Sequence, residues 1–443
     1  MPPTPTSARA HLPLNRSIGR WACTALVVNT VIGSGIFGIP SLLNGIVGRA
    51  SPLAMVLSGI GIGLMMACCA EVTSRFSEPG GAYLFARTAF GRFVGIQVGW
   101  FSWLAPMGTS AAAANLFSSY LAAYLPFAGT VFGRALVIFS LFAFLAIANC
   151  LGVKVGANLS SVFSIAKLAP LALLIVLGVI FFARHPQTYA QAAPAPPALS
   201  PWVDAMLLLS FAFGGFENAI MPAGEVENPR LTIPWSLAVG LAACIAVYAL
   251  VQFVTVATIG TGPADRPLAS VANVLIGRGG AMFITIAAMI STFGHLSAVQ
   301  LGAPRLTYSL AERGDFPAFF GRIHPRFQTP YISILLFGLF TFLLSLSGTF
   351  RWAVAMASGA LIIIYTSVCA SLIGLRKKNA NPAALHLPGG VFIACFCIVV
   401  GIVLLTRLTL REGYLLLVTF AIGVVHWLWI RTRATADEVR SGA

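Results

Sequence analysis

Two glycine-bearing interruptions and one buried cation are the groups in this chain whose types and spacing point to chemistry. The interruptions are Val31-Ile32-Gly33-Ser34-Gly35-Ile36-Phe37 and, about 180 residues on, Phe211-Ala212-Phe213-Gly214-Gly215-Phe216-Glu217-Asn218. Glycine favours opening of a helix, and an opened helix leaves N–H and C=O groups without partners. In lipid such groups are costly, so a break persists where it lines a cavity or binds something. Gly33 lies 12 residues past Trp21, about 18 Å along a helix and near the middle of a ~30 Å hydrocarbon core. A half-helix N-terminus at Ile32, Gly33, Ser34 and Gly35 suits a carboxylate. The competing reading of this motif is close helix packing through small residues.

The second break offers backbone carbonyls from Phe211, Ala212, Gly214 and Gly215, and it carries Glu217 about 10 Å from the span's inner end. An acidic group there is paired, protonated or facing the bundle interior. It serves either transport or the freed amides of the break itself. Phe211 is placed to cap a ligand or simply to fill the core. Lys167, about 14 Å into its span, is too deep for its side chain to reach the interface with ease. A cation at that depth reads as functional: it exchanges a proton, or it sits among carbonyls released at the first break. Ser291 and Thr292 bring hydroxyls to the cavity or back-bond to their own helix, and His295 is a weaker candidate for titration. Trp100, Trp103 and Pro106 read as packing and a kink, and Glu71 with Arg75 as an i, i+4 ion pair.

The elements that must position these groups are membrane spans. The chain has 443 residues, of which 58% are hydrophobic and 9% charged. Apolar runs of about 20 residues recur along its whole length. Net charge is +15, but the basic residues sit in short connectors rather than in a stripe, which argues against nucleic acid. With the N-terminus inside, 18 basic residues fall in inner loops and tails and 8 in outer ones, so both termini are expected in the cytoplasm. The first apolar run, Trp21 to Val47, is too long for a signal peptide and lacks a convincing cleavage site. Seven of the eight cysteines lie within spans; they read as small apolar filler, with no metal-ligand spacing. No cofactor is implied, and no triad, metal cluster or phosphate loop suggests an enzyme.

The expected fold is all-α and polytopic, with about twelve transmembrane helices, two of them discontinuous. Residues 1–20 form a cytoplasmic tail, 21–430 one transport domain and 431–443 a second tail. The Pro-rich stretch from Ala183 to Pro201 separates repeat 1 (21–184) from repeat 2 (202–375); helices within 388–430 lie outside both. An odd number of spans per repeat makes the repeats inverted. The third segment, Gly81–Tyr124, is too long for one span, so its start from Ala82 to Phe93 is expected along the inner surface. The eighth span is expected over Gly280–Leu301, followed by a basic connector from Arg305 to Arg326.

These residues resemble the amino acid–polyamine–organocation transporter superfamily over nearly the whole chain. Gly33-Ser34-Gly35-Ile36-Phe37 is similar to the family's first-span signature. Pro79-Gly80-Gly81-Ala82-Tyr83 with Ala89-Phe90-Gly91 resembles its second connector. Phe213-Gly214-Gly215-Phe216-Glu217 with Glu225-Val226-Glu227-Asn228-Pro229-Arg230 resembles its sixth span, and Arg305 to Gly314 with Pro317 the connector after the eighth. The resemblance implies a leucine-transporter-like five-plus-five inverted repeat and alternating access. It implies that the first-span glycines hold an amino acid's carboxylate, that sixth-span carbonyls hold its amine, and that Phe211 closes over it. Lys167 matches a fifth-span lysine of proton-coupled or exchanging members, where the amine replaces a sodium ion. Glu217 matches a position that is acidic in the arginine/agmatine antiporter, which lacks the lysine. The expected partners are an amino acid, protons and the bilayer of a bacterial-type inner membrane. The alternative substrates are polyamines or other organic cations. A channel would need a continuous polar ring, which is not seen.

Overall fold

The computed structural model describes residues 19–76, 81–151, 157–196, 198–216, 226–262, 264–378, 383 and 385–441. The architecture is all-α. The first break separates α1 (Arg20–Val31) from α2 (Gly35–Val47). At 1.5 Å per residue these rise about 18 and 20 Å, so neither crosses a bilayer alone and the two together do. Then follow α3 (Ser51–Thr73), α4 (Gly81–Phe90), α5 (Arg92–Leu121), α6 (Val131–Cys150), α7 (Ala157–Arg184) and the short α8 (Gln187–Gln191). The second half holds α9 (Leu199–Ala212), α10 (Pro229–Ile259), α11 (Pro267–Glu312), α12 (Tyr331–Ser347), α13 (Phe350–Lys377), α14 (Gly390–Leu405) and α15 (Leu410–Ser441). Seven described stretches are long and apolar enough to cross a membrane, and α9, α12 and α14 are shorter apolar helices.

Three expectations change in detail. The long third segment divides at Gly91 (φ 94°), where a left-handed glycine turns the chain from α4 into α5. Within α4, Tyr83, Leu84, Phe85, Ala86 and Ala89 are all buried against the bundle. The eighth span is one part of α11, whose helix bends at Ile276 and Gly277 (φ 72°) and continues to Glu312. The stretch from Arg305 to Glu312 is therefore helix rather than connector. Likewise α15 runs on through Ser441, past the end expected for the last span.

The core is built by α13, which packs along α3, α4, α5, α9 and α14, and by α10, which packs on α1, α3 and α7. Large apolar side chains exposed on α6, α7, α12, α14 and α15 form the outer, lipid-suited face.

Two fully buried carboxylates tie the helix ends together at the end of the bundle that carries most of the arginines. Glu71 accepts from Arg75 (2.9 Å), from Arg376 through Nε (2.8 Å) and Nη2 (2.5 Å), and from the amide of Leu387 (2.9 Å). It joins α3 to the end of α13 and to the segment before α14. The pair expected with Arg75 is thus one arm of a larger hub. Asp315 accepts from Arg92 (2.6 Å), lies 3.1 Å from Arg87 and takes the Tyr83 hydroxyl, joining the loop after α11 to α4 and α5. Breaking a buried pair strands a charge and costs about 3–5 kcal/mol. Glu71→Ala is therefore expected to lower the melting temperature of detergent-purified protein by several degrees, and Asp315→Ala to lower it less, because Arg87 and Arg92 are 33% and 40% exposed. Melting within a degree of wild type for both variants would show that these hubs do not hold the bundle.

Candidate substrate site at the paired helix breaks

Both interruptions are open, and they face each other. At the first, Ile32 leaves the helical region (φ −75°, ψ 89°) and α2 restarts at Gly35. The amides of Ser34 and Gly35 donate to no backbone carbonyl among the described residues. They form the positive end of α2, the arrangement that receives an anion. The hydroxyl of Ser34 is buried without a hydrogen-bond partner among the described residues. At the second, α9 stops at Ala212 and Gly215 takes φ 104°, a conformation that glycine adopts without strain. The described chain continues to Phe216. Glu217 lies outside the described residues.

The close approach of the two breaks explains which positions are glycine. A Cβ on Gly35 would stand 3.2 Å from the Cα of Ala212 and 3.4 Å from the Phe211 ring. On Gly215 it would lie 2.5 Å from the carbonyl oxygen of Thr30, and on Gly214 2.9 Å from Leu361. Small residues here let backbone meet backbone. Phe211 covers the start of α2 and is itself 7% exposed, while Ile32 and Ser34 are each 1% exposed. The site is closed over in this state.

A residue that sequence reasoning missed joins the two breaks. The Tyr248 hydroxyl, from α10, lies 3.0 Å from the carbonyl oxygen of Val31 and 3.1 Å from that of Ala212. These are the carbonyls at the two points where the helices stop. One phenol thus serves backbone acceptors released at both breaks, in surroundings with no solvent to replace it. The signal available in the sequence was a tyrosine deep within an apolar run, away from the interfacial belt where tyrosine is common.

The third face of the first break is formed by α11 and α7. Ser291 Oγ lies 3.5 Å from the carbonyl oxygen of Gly33, at the outer limit of a hydrogen bond. The His295 ring packs on Gly33, with Nδ1 3.3 Å from where a Cβ would sit, and its Nε2 is buried without a partner among the described residues. Lys167 is 4% exposed and close enough to His295 for their charges to interact. Among the described residues no ion pair involves it. The fold thus brings Ser291 and His295, which the sequence ranked lower, against the Gly33 motif, with Lys167 in electrostatic reach of His295.

A hollow of about 400 Å³ opens among Asn115, Ser118, Arg134, Asp265, Arg266 and Phe350. It stops short of the breaks. The Phe350 ring fills the space beside Gly38, where a Cβ would meet it at 2.4 Å, and the Tyr120 hydroxyl donates to the carbonyl of Phe37 (2.9 Å). The wall between hollow and site is thus α2 with two aromatic side chains against it.

Tyr248→Phe keeps the ring and leaves both carbonyls unserved, which is expected to cost about 1–3 kcal/mol and to lower the melting temperature. Gly215→Ala is expected to be worse, because it combines positive φ with a backbone clash. Gly45→Ala, where nothing stands within 4 Å, is the neutral control. A Gly215→Ala protein that melts with the control would contradict the packing of break against break.

The comparisons with known proteins agree with this geometry. A family model described as amino acid permease matches residues 18–426. Cationic amino acid transporter 4 of Mus musculus is 28% identical over 83% of this chain and 61% of its own length, so the chain spans less than two thirds of that relative. The serine/threonine exchanger SteT of Bacillus subtilis is 27% identical over 72% of this chain and 74% of that protein. An arginine/agmatine antiporter of Chlamydia felis is 24% identical over 83% and 80%. The crystal structure of a manganese transporter of Eremococcus coleocola superposes with a TM-score of 0.61 at 12% identity, over 93% of this chain and 94% of that one, which speaks to the fold alone. With its broken, mutually packed helices inside an apolar helical bundle, this chain belongs to the amino acid permease family of multi-pass membrane transporters.

Proposed function

We propose that the protein is a secondary active transporter of amino acids that works by alternating access. The observation that carries this reading is the meeting of two opened helices, one presenting amides and the other carbonyls, in the core of the bundle. Amides of Gly33, Ser34 and Gly35 at the positive end of α2 receive the α-carboxylate. Carbonyls of the second break, between Phe211 and Gly215, receive the α-ammonium. Phe211 lies over both and moves aside to admit the substrate. The named substrates of the relatives include cationic amino acids, serine and threonine, and arginine with its amine. Most of these share the α-amino acid group and differ in the side chain, which suits recognition through backbone.

Lys167 acts as the coupling group in this reading. Its ammonium, held in the low-dielectric core beside the first break, is stable only with carbonyl or anion partners, so its protonation and the occupancy of the break are linked. Ser291 on α11 and Glu217, which follows Phe216 in sequence, are proposed to assist. The helices are arranged as two inverted five-helix repeats plus two further spans, about twelve in all, with both termini in the cytoplasm of a cell whose inner membrane holds the protein. Substrate binding shifts the balance between outward-facing and inward-facing states by its different affinity for each.

Protein reconstituted in liposomes is expected to accumulate a labelled amino acid under an imposed pH gradient or against an internal amino acid. Lys167→Ala should abolish uptake or remove its dependence on the gradient. Unchanged pH dependence in that variant would refute the coupling role. In a competition panel, amino acids are expected to displace the label at least tenfold better than their decarboxylated amines, a difference of about 1.4 kcal/mol. Amines competing as well as amino acids would instead indicate an organic-cation carrier, the use that Glu217 would favour.

A further inference from the structure

Spacing along the chain joins no cysteines into a metal motif, yet the fold draws three of them to one point. Cys68 on α3, Cys369 on α13 and Cys397 on α14 come from three different helices, and their Sγ atoms all lie within 4.8 Å of one another. Cys68 and Cys369 are fully buried and Cys397 is 2% exposed. Three sulfurs around one d¹⁰ ion at about 2.3 Å, in a plane, stand about 4 Å apart, so the observed spacing needs little adjustment to close on an ion.

The local charge fits as well. Glu71 follows Cys68 by one helical turn on α3, and Arg75 and Arg376 both bind it. Among the described residues, one carboxylate against two guanidiniums leaves a net charge of +1 at that hub. Three thiolates holding a divalent cation carry −1, so the two groups offset each other. A monovalent ion in the same thiolates would leave −2 and a poorer balance. Arg376 is within electrostatic reach of Cys68.

We propose that Cys68, Cys369 and Cys397 form a thiolate site for a thiophilic divalent cation of the zinc class. Loading exchanges three thiol protons, released to solvent, for one cation; no electrons move. The bound ion would clamp α3 to α13 and α14 beside the Glu71 hub. Because the sulfurs are almost inaccessible, the ion enters during folding or through slow opening of the helix ends.

The test is elemental analysis of protein purified from zinc-supplemented cells, followed by titration of metal-stripped protein with cadmium, whose thiolate complexes absorb in the near ultraviolet. Wild type is expected to carry about one ion per chain, to show the cadmium–thiolate band and to melt at higher temperature with zinc. Cys68→Ser/Cys369→Ser/Cys397→Ser should lose all three. Should the triple variant fold poorly, the single Cys397→Ser is expected to bind cadmium at least about tenfold more weakly. Cys395→Ser, on the exposed face of the same helix, should match wild type. Wild type with no cadmium–thiolate band, or Cys397→Ser with wild-type affinity, overturns the proposal.

Discussion

An opened helix in the middle of a membrane protein must have its backbone groups satisfied, and the rest of this structure follows from that constraint. The chain solves it by bringing two openings together. The end of α9 lies against the start of α2, Gly215 lies against the end of α1, and the single hydroxyl of Tyr248 serves the terminal carbonyls of both α1 and α9. Neither break is independent of the other. A ligand that draws on the amides of one and the carbonyls of the other would act on both at once, which is how binding of a small molecule gains leverage over long helices.

Around this joint the polar groups divide into those that hold and those that can change. Glu71 and Asp315 are fully buried and each bound by two arginines, so they fix helix ends to one another. A second network links α2, α3 and α10: the Gln252 side-chain amide reaches the Pro40 carbonyl (3.1 Å), Ser51 (2.9 Å) and Asn44, and Asn44 donates to the Gly260 carbonyl (3.0 Å). These bonds tie the three helices together, although Gln252 Oε1 itself is buried without a hydrogen-bond partner among the described residues. Beside the first break, the Ser34 hydroxyl and His295 Nε2 are buried with no hydrogen-bond partner among the described residues, and Lys167, within electrostatic reach of His295, makes no ion pair among them. Polar capacity left unused in a buried place is what a substrate or a proton would use. In the state seen here Phe211, Phe350 and Tyr120 keep the site shut, so a side chain or helix must move before anything enters.

Much of the site was legible in the sequence because it rests on local signals. Glycine pairs within apolar runs gave both breaks, and an isolated lysine in a span gave its burial. What was not legible depends on neighbours far apart in the chain. Tyr248 and Val31 are separated by 217 residues, and Arg376 and Glu71 by 305. Glu71 therefore read as an ordinary pair with Arg75, and three cysteines on three helices read as filler. The span ends were less legible for a different reason: amphipathic or kinked helices such as α4 and the far part of α11 continue past the apolar stretch that marks a span. Gly277, where α11 bends, looks in sequence like the glycine of any loop.

The account rests on both breaks forming one binding surface. Hydrogen–deuterium exchange of the purified protein, with and without a transported amino acid, tests this most directly. The amides of residues 33–36 and 213–216 are expected to become protected together, at the same ligand concentration, when the amino acid binds. Protection of one break without the other, or of neither while ligand is bound, would contradict it.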